Sequence, residues 1–228
     1  MRRIFTLKYG IDAPFWVGFL TILGLVLTVI SCFGLPQSIL GVIFGGFMFV
    51  EGVWMFLYST VIKIRHRHVI IDLAEIKQGD KVLDVGTGRG LLAIAAAMRG
   101  AAVTAIDKWS AWDLSGNGRQ TFEDNRISEG VPRIELLDGD VQDLPYQDET
   151  FDAVISNFVI HNIKKPEERK TAVEQMWRVL KKGGVLVISD IAKINEYTEI
   201  LRNKTAEVKV QSIYYTFPFS KIVVAHKK

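Results

Sequence analysis

Two scarcities shape this 228-residue chain: it has a single cysteine, and no charged residue between Ala13 and Val50. With only Cys32 available, an intrachain disulfide framework and a cysteine-built metal site are both excluded. Basic charge is also missing where a nucleic-acid binder would need it. Residues 1–68 carry six Lys and Arg against two Asp and Glu, whereas residues 69–228 carry twenty-two against twenty-three. The net charge of +3 therefore belongs to the flanks of the apolar region. The remainder lacks the clustered cations that displace counterions from phosphates, so no nucleic-acid partner is expected.

The uncharged stretch is long enough to divide in two. About 20 apolar residues cross a bilayer, and residues 13–33 supply one such run. The sequence Gly34-Leu35-Pro36-Gln37-Ser38 then breaks the helix, and residues 39–62 supply a second run, interrupted only by Glu51. Arg2, Arg3 and Lys8 precede the pair, Lys63, Arg65 and Arg67 follow it, and the loop between is uncharged. Positive flanks stay inside. Residues 1–63 thus read as a two-span hairpin in a membrane, with both termini and the following domain cytoplasmic. Val29-Ile30-Ser31-Cys32 loosely resembles a lipoprotein cleavage site, but the immediate second span argues against export. Gly41 and Gly45 have the small-xxx-small spacing that permits close helix approach, which raises a homodimer through the hairpin. Glu51 is costly in lipid, and its simplest partner is a hydroxyl of the first helix, Thr21 or Thr28. Residues 64–79 read as a connector, with His66, Arg67 and His68 at the lipid surface and a short amphipathic helix on Val69, Ile70, Leu73 and Ile76.

From residue 80 the pattern alternates. Strands are expected at 81–85, 102–106, 133–137, 152–156 and 185–189, with helices at 91–99, 119–128, 167–179 and 195–204 between and after them. Lys182-Gly183-Gly184 reads as a turn, and 208–215 with 221–225 as a closing hairpin around Phe217-Pro218. The expected fold is α/β: a Rossmann-like, seven-stranded, mostly parallel sheet with helices on both faces, spanning residues 80–228.

Gly86-Thr87-Gly88-Arg89-Gly90 follows the first strand, where open α/β sheets bind ligands, and Asp107 ends the second strand, where a carboxylate can accept ribose hydroxyls. A dinucleotide fingerprint would need Gly or Ala where Leu91 stands, and the phosphate loop's Gly-Lys-Ser/Thr is absent. What remains is Gly-x-Gly-x-Gly after Asp84.

Residues 80–191 resemble a class I S-adenosylmethionine (SAM)-dependent methyltransferase, of the branch containing quinone and small-molecule methyltransferases. The resemblance rests on Val82–Gly90, Asp107, Gly139-Asp140-Val141, Asp152–Asn157 and Arg178–Gly184 in that order, and it covers about half the chain. It implies SAM as cofactor, held by Asp84, Gly86, Thr87, Gly88 and Gly90 along its methionine side. Asp107 would take the ribose, Lys108 would line the adenine side, Asp140 and Val141 would bracket adenine, and Asn157 would lie near the methionine end. Asp84 would alternatively brace the glycine loop. His161, after the fourth strand, is the candidate catalytic base for an acceptor that must lose a proton, its bland role being a surface histidine. No metal is expected.

The Asn/Asp-Pro-Pro-aromatic motif of nucleic-acid and glutamine methylation is replaced by Asn157-Phe158-Val159-Ile160. The expected acceptor is a small lipophile reached from the bilayer: a quinone-type ring, a lipid or a hydrophobic thiol. Membrane lipids are the other expected partners. Trp109 and Trp112 would rest on lipid, cover the site, or simply pack on the domain. The alternative function is a SAM-binding membrane module without methyl transfer.

Overall fold

The computed structural model describes residues 7–109, 116–204, 207–216 and 218–228. Arg2, Arg3, Trp112 and Phe217 lie outside them. Seven strands, β1 (Lys81–Val85), β2 (Ala102–Asp107), β3 (Glu135–Asp138), β4 (Phe151–Asn157), β5 (Leu180–Asp190), β6 (Glu207–Ile213) and β7 (Ser220–His226), form one sheet in the order β3-β2-β1-β4-β5-β7-β6. β7 runs antiparallel to both its neighbours, and every other pairing is parallel. The central strands read as continuous apolar runs because both faces are covered. Val82, Leu83, Val154 and Ile155 are all fully buried. Each such side chain contributes about 1.5–3 kcal/mol of transfer free energy.

The expected turn at Lys182-Gly183-Gly184 is instead part of β5. Gly183 adopts φ +80° and its N–H donates to Lys227 O (2.6 Å), so a local irregularity replaces a full reversal. Arg178, just before β5, clamps the loop after β3 through Leu144 O (2.9 Å), Tyr146 O (2.7 Å) and Asp148 (2.8 Å).

The N-terminal region has two helices long and apolar enough to cross a membrane, α1 (Pro14–Cys32) and a continuous helical stretch from Ile39 to Leu73. The second comprises α2 (Ile39–Leu57), a π-turn at Tyr58–Ile62, and α3 (Lys63–Leu73). The pair packs backbone to backbone through glycine. A Cβ on Gly45 would lie 2.7 Å from Thr28 N, one on Gly24 would lie 2.8 Å from Gly45 O, and Gly41 abuts Ser31. The small-residue face that raised a homodimer is thus used inside the hairpin. Thr21 and Thr28 donate to Val17 O and Gly24 O of their own helix, and neither is bonded to Glu51.

The connector is not a surface segment. His66 is fully buried, with Nε2 2.9 Å from Ser189 Oγ and Nδ1 3.1 Å from Tyr215 OH. Arg67, also buried, donates to Tyr9 OH at 3.0 Å. These polar side chains are therefore internal struts, and the lipid-surface placement expected for His66 and Arg67 is corrected. The reason is covalent continuity: the helix leaves the apolar region without a break and runs straight onto the sheet, placing Ile70 and Ile71 in the core.

The segment before α1 is docked as firmly. Tyr9 is 2 % exposed and belongs to the same core cluster as β1 and α4 (Leu91–Met98). Asn125 of α5 (Arg119–Ser128) donates to Lys8 O at 3.0 Å. Lys63 is buried and donates to Tyr9 O (2.9 Å), Gly10 O (2.5 Å) and Asp12 Oδ2 (3.2 Å), while Ser59 bridges to the same carboxylate at 3.0 Å. A buried ammonium is tolerated only when its three protons are taken. Here they are, and the result pins the start of one long helix to the end of the other.

Candidate active site

A cavity of about 880 Å³ opens at the carboxyl ends of β1, β2 and β4. Its floor is the turn after β1. Gly86 adopts φ +69°, and a Cβ there would collide with the Val159 methyl groups. Only glycine serves. Gly86 N and Thr87 N both donate to Ile106 O, at 2.8 and 3.1 Å, tying the turn to β2. Asp107 then closes the turn from the other side: Oδ2 accepts from Gly88 N (2.7 Å) and Oδ1 from Trp109 N (2.6 Å). Each carboxylate oxygen retains a second acceptor position. A vicinal diol, donating two O–H groups, fits that pair of acceptors.

Asp84 is buried beneath the turn, where Oδ2 accepts from Thr87 Oγ1 (2.7 Å) and Ala93 N (2.9 Å). Burial pushes its carboxyl up to about 7, against the pull of those two hydrogen bonds. Both bonds brace the glycine turn, and the residue still touches the cavity.

The other predicted positions divide. Thr87, Gly88, Lys108, Val141, Asn157 and His161 line the cavity with Asp84, Gly86 and Asp107. Gly90 and Asp140 do not. Gly90 (φ +84°) caps the start of α4 and lies against Ile94 and Phe122. Asp140 turns to Lys108 (Nζ–Oδ2 2.5 Å) and to Gln142 N (2.9 Å). Partial burial opposes ionisation, but these partners hold its carboxyl below the usual range. Trp109 packs on the domain core with Nε1 on Asp138 (2.5 Å), the bland role foreseen for it.

Residues 83–188 match the family model described as a methyltransferase domain. The chain is 33% identical over 143 residues to a demethylmenaquinone methyltransferase of Paenarthrobacter aurescens, covering 60% of this chain and 51% of that one. It is 32% identical over 130 residues to a ubiquinone/menaquinone biosynthesis C-methyltransferase of Neisseria meningitidis, covering 56% and 49%. It thus spans about half the length of these relatives. The fold is shared with a SAM-dependent methyltransferase from Aquifex aeolicus (TM-score 0.56, 20% identity, 72% of this chain and 90% of that one). It is shared also with the SAM-bound magnesium protoporphyrin IX methyltransferase of Synechocystis (TM-score 0.59, 18% identity, 72% and 79%).

Residues 83–188 thus carry the pattern of a methyltransferase domain.

In this methyltransferase domain His161 sits on a short 3-10 turn, Ile160–Asn162, at the cavity wall. Its Nδ1 lies 2.5 Å from Asp190 Oδ1, and its backbone N–H donates to Asp190 Oδ2 at 3.0 Å. Asp190 is completely buried and also accepts from Ile191 N (2.8 Å) and Tyr197 OH (3.2 Å). Burial, reinforced by that carboxylate, raises the Tyr197 phenol, which stays a proton donor. The Nδ1 approach is close but outside hydrogen-bond geometry, so Asp190 fixes the turn through the His161 backbone and sets a carboxylate beside the ring, leaving the imidazole at the cavity wall as the candidate base. Sequence reasoning missed Asp190, although it ends β5 at the carboxyl edge of the sheet much as Asp107 ends β2.

The largest omission lies elsewhere. One whole wall of the methyltransferase cavity comes from the helical hairpin and the segment before it: Asp12, Pro14, Trp16, Met55, Tyr58 and Lys63. The strained Phe158 (φ +58°) faces that wall, its ring 5.8 Å from that of Tyr58.

Proposed function

We propose that this protein is a SAM-dependent methyltransferase, anchored in a membrane by the hairpin of residues 13–62 with its catalytic domain cytoplasmic, and that it methylates a small lipophilic acceptor of the quinone type. The observation that carries this is the cavity: one space joins the glycine turn and Asp107 to the ends of two apolar helices. The relatives named for quinone biosynthesis support the acceptor class.

The residues present fit the cofactor. Gly86 and Gly88 bring backbone to the cavity, with Val159 packed where a Gly86 Cβ would stand, the Asp107 carboxylate has acceptor capacity for a ribose diol, and Val141 and Lys108 line the same cavity. When bound, SAM supplies a methyl group on a cationic sulfonium. Carboxylates such as Asp84 and Asp107 make favourable neighbours for its positive charge. Catalysis is then largely positioning of acceptor against donor. His161 at the cavity wall would take the proton that the acceptor loses on methylation, and the buried Asp190 carboxylate beside it would favour the resulting imidazolium.

The test is calorimetric titration of the full chain in detergent with SAM and S-adenosylhomocysteine, beside Asp107→Ala. It is followed by transfer of labelled methyl to short-tailed demethylmenaquinol. Micromolar binding lost in the variant, with label in the quinol, is expected. Binding without transfer to that quinol or to a panel of membrane lipids would leave a SAM-binding module. No binding by folded protein would overturn the proposal.

A further inference from the structure

We infer that the hairpin is part of the active site, forming an acceptor channel that is entered sideways from the bilayer between Trp16 and Met55 and ends at Tyr58. The inference rests on the proposed function and specifies its substrate: a ring bearing an oxygen, attached to an apolar tail.

The channel's outer end is apolar and sits at the very start of α1. Phe15 and Trp16 line the cavity yet are 69% and 54% exposed, so they form its rim rather than its interior. They stack with Phe19 into an aromatic cluster, with ring centroids 5.5–5.9 Å apart. Aromatic residues at the first turn of an apolar span occupy the headgroup level of a bilayer. The mouth of the cavity therefore meets lipid at the depth where a polar head on an apolar tail resides. Met55, near the other end of the hairpin, is its buried counterpart on α2, and an unbranched thioether accommodates chains of irregular shape.

The inner end is polar and incompletely satisfied. Tyr58 is 2% exposed, and its hydroxyl neighbours the Asn157 side chain. Neither that hydroxyl nor Asn157 Oδ1 has a partner in hydrogen-bond geometry. Two buried orphan polar atoms cost stability; a ring-borne carbonyl would accept from the Tyr58 hydroxyl, and a ring-borne hydroxyl would in addition donate to Asn157 Oδ1. Tyr58 begins the π-turn, an irregularity that recurs at functional sites. The turn's next residue, Ser59, is fixed by Asp12. The anchor is thereby held in register with the domain, and the head of the acceptor would lie against the edge of the Tyr58–Phe158 pair, beside the β4 end that faces the cofactor.

The measurement is binding of two tritiated 1,4-naphthoquinones, one without a tail and one with a geranyl tail, to the full chain in nanodiscs saturated with S-adenosylhomocysteine. Wild type should bind the tailed probe more tightly. Met55→Trp, which fills the channel, and Trp16→Ala, which removes its rim, should each weaken the tailed probe about tenfold and leave the tail-less one within about twofold. Tyr58→Phe should weaken both probes about tenfold, with affinity for S-adenosylhomocysteine unchanged. If neither probe binds, or if the channel variants leave the ratio of the two probes as in wild type, or if Tyr58→Phe binds both normally, the inference is overturned while the cofactor site stands. Failure of wild type to bind S-adenosylhomocysteine would instead remove the proposed function itself.

Discussion

The two halves of the cavity are built by different means. The cofactor half is mostly backbone: a glycine turn, the ends of three parallel strands, and one carboxylate on two N–H groups. The half proposed for the acceptor is side chains delivered by a helical hairpin from the far end of the sequence. Backbone geometry within a turn tolerates almost no substitution, whereas a wall of side chains can be retuned residue by residue. Fixed cofactor and adjustable acceptor is the division of labour this construction allows.

Substitutions should separate the halves, and the largest effect belongs to the backbone. Gly86→Val combines a positive φ with collision against Val159, and it should abolish SAM binding by at least about a hundredfold in calorimetry. Affinity within a factor of three of wild type would mean that the turn yields. Next is the chemistry between the halves. His161→Ala should lower kcat by about 10²–10⁴ without weakening SAM, and Asp190→Asn should lower it by about tenfold. A normal kcat in His161→Ala would show that the acceptor needs no base.

A smaller effect is expected from Gly45→Leu. It pushes α1 and α2 apart at Thr28, so the KM for a quinol acceptor should rise several-fold at unchanged SAM affinity, for an overpacking cost of about 1–3 kcal/mol. Equal losses at both ends would show that the halves are mechanically one.

The smallest effect is a matter of protons. Burial holds Asp84 up at about 7, above its ordinary 3.8. Between those values the folded protein keeps a proton that the unfolded chain has released, so stability of the cofactor-free domain falls as pH rises through that window and levels off above about 7. The cationic cofactor favours the carboxylate, so binding near neutral pH should release a fraction of a proton and tighten modestly as pH rises. Calorimetry in two buffers of different ionisation enthalpy measures that release, and Asp84→Asn should show less of it.

The placement of the glycine turn and Asp107 at one cavity was largely legible because its signals are local. Gly86, Gly88 and Asp107 stand at fixed distances from strand ends, and period-two and period-3.6 patterns place those ends to within a few residues. Gly90 and Asp140 show the limit of pattern: both stand at motif positions, but one packs against Phe122 and the other pairs with Lys108. The acceptor half was hidden because its partners are distant. His66, Arg67 and Lys63 read as an aqueous flank of a span. Their hydrogen-bond partners are Ser189, Tyr215, Tyr9 and Asp12, which no local pattern connects to them. Gly183 read as a turn because glycine suits one, yet strand pairing with β4 and β7 carried the chain through.

The unbroken stretch from Ile39 to Leu73 has a last consequence. At 1.5 Å per residue its 35 residues make a rod of about 50 Å, more than a bilayer's hydrocarbon is thick. With no loop between its apolar and domain-embedded portions, the enzyme has no swivel. Under the proposed function its mouth would be held at a fixed height and bearing against the lipid, and the meeting of enzyme and acceptor would become a search in two dimensions, governed by how many acceptor molecules share the surface rather than by their concentration in water.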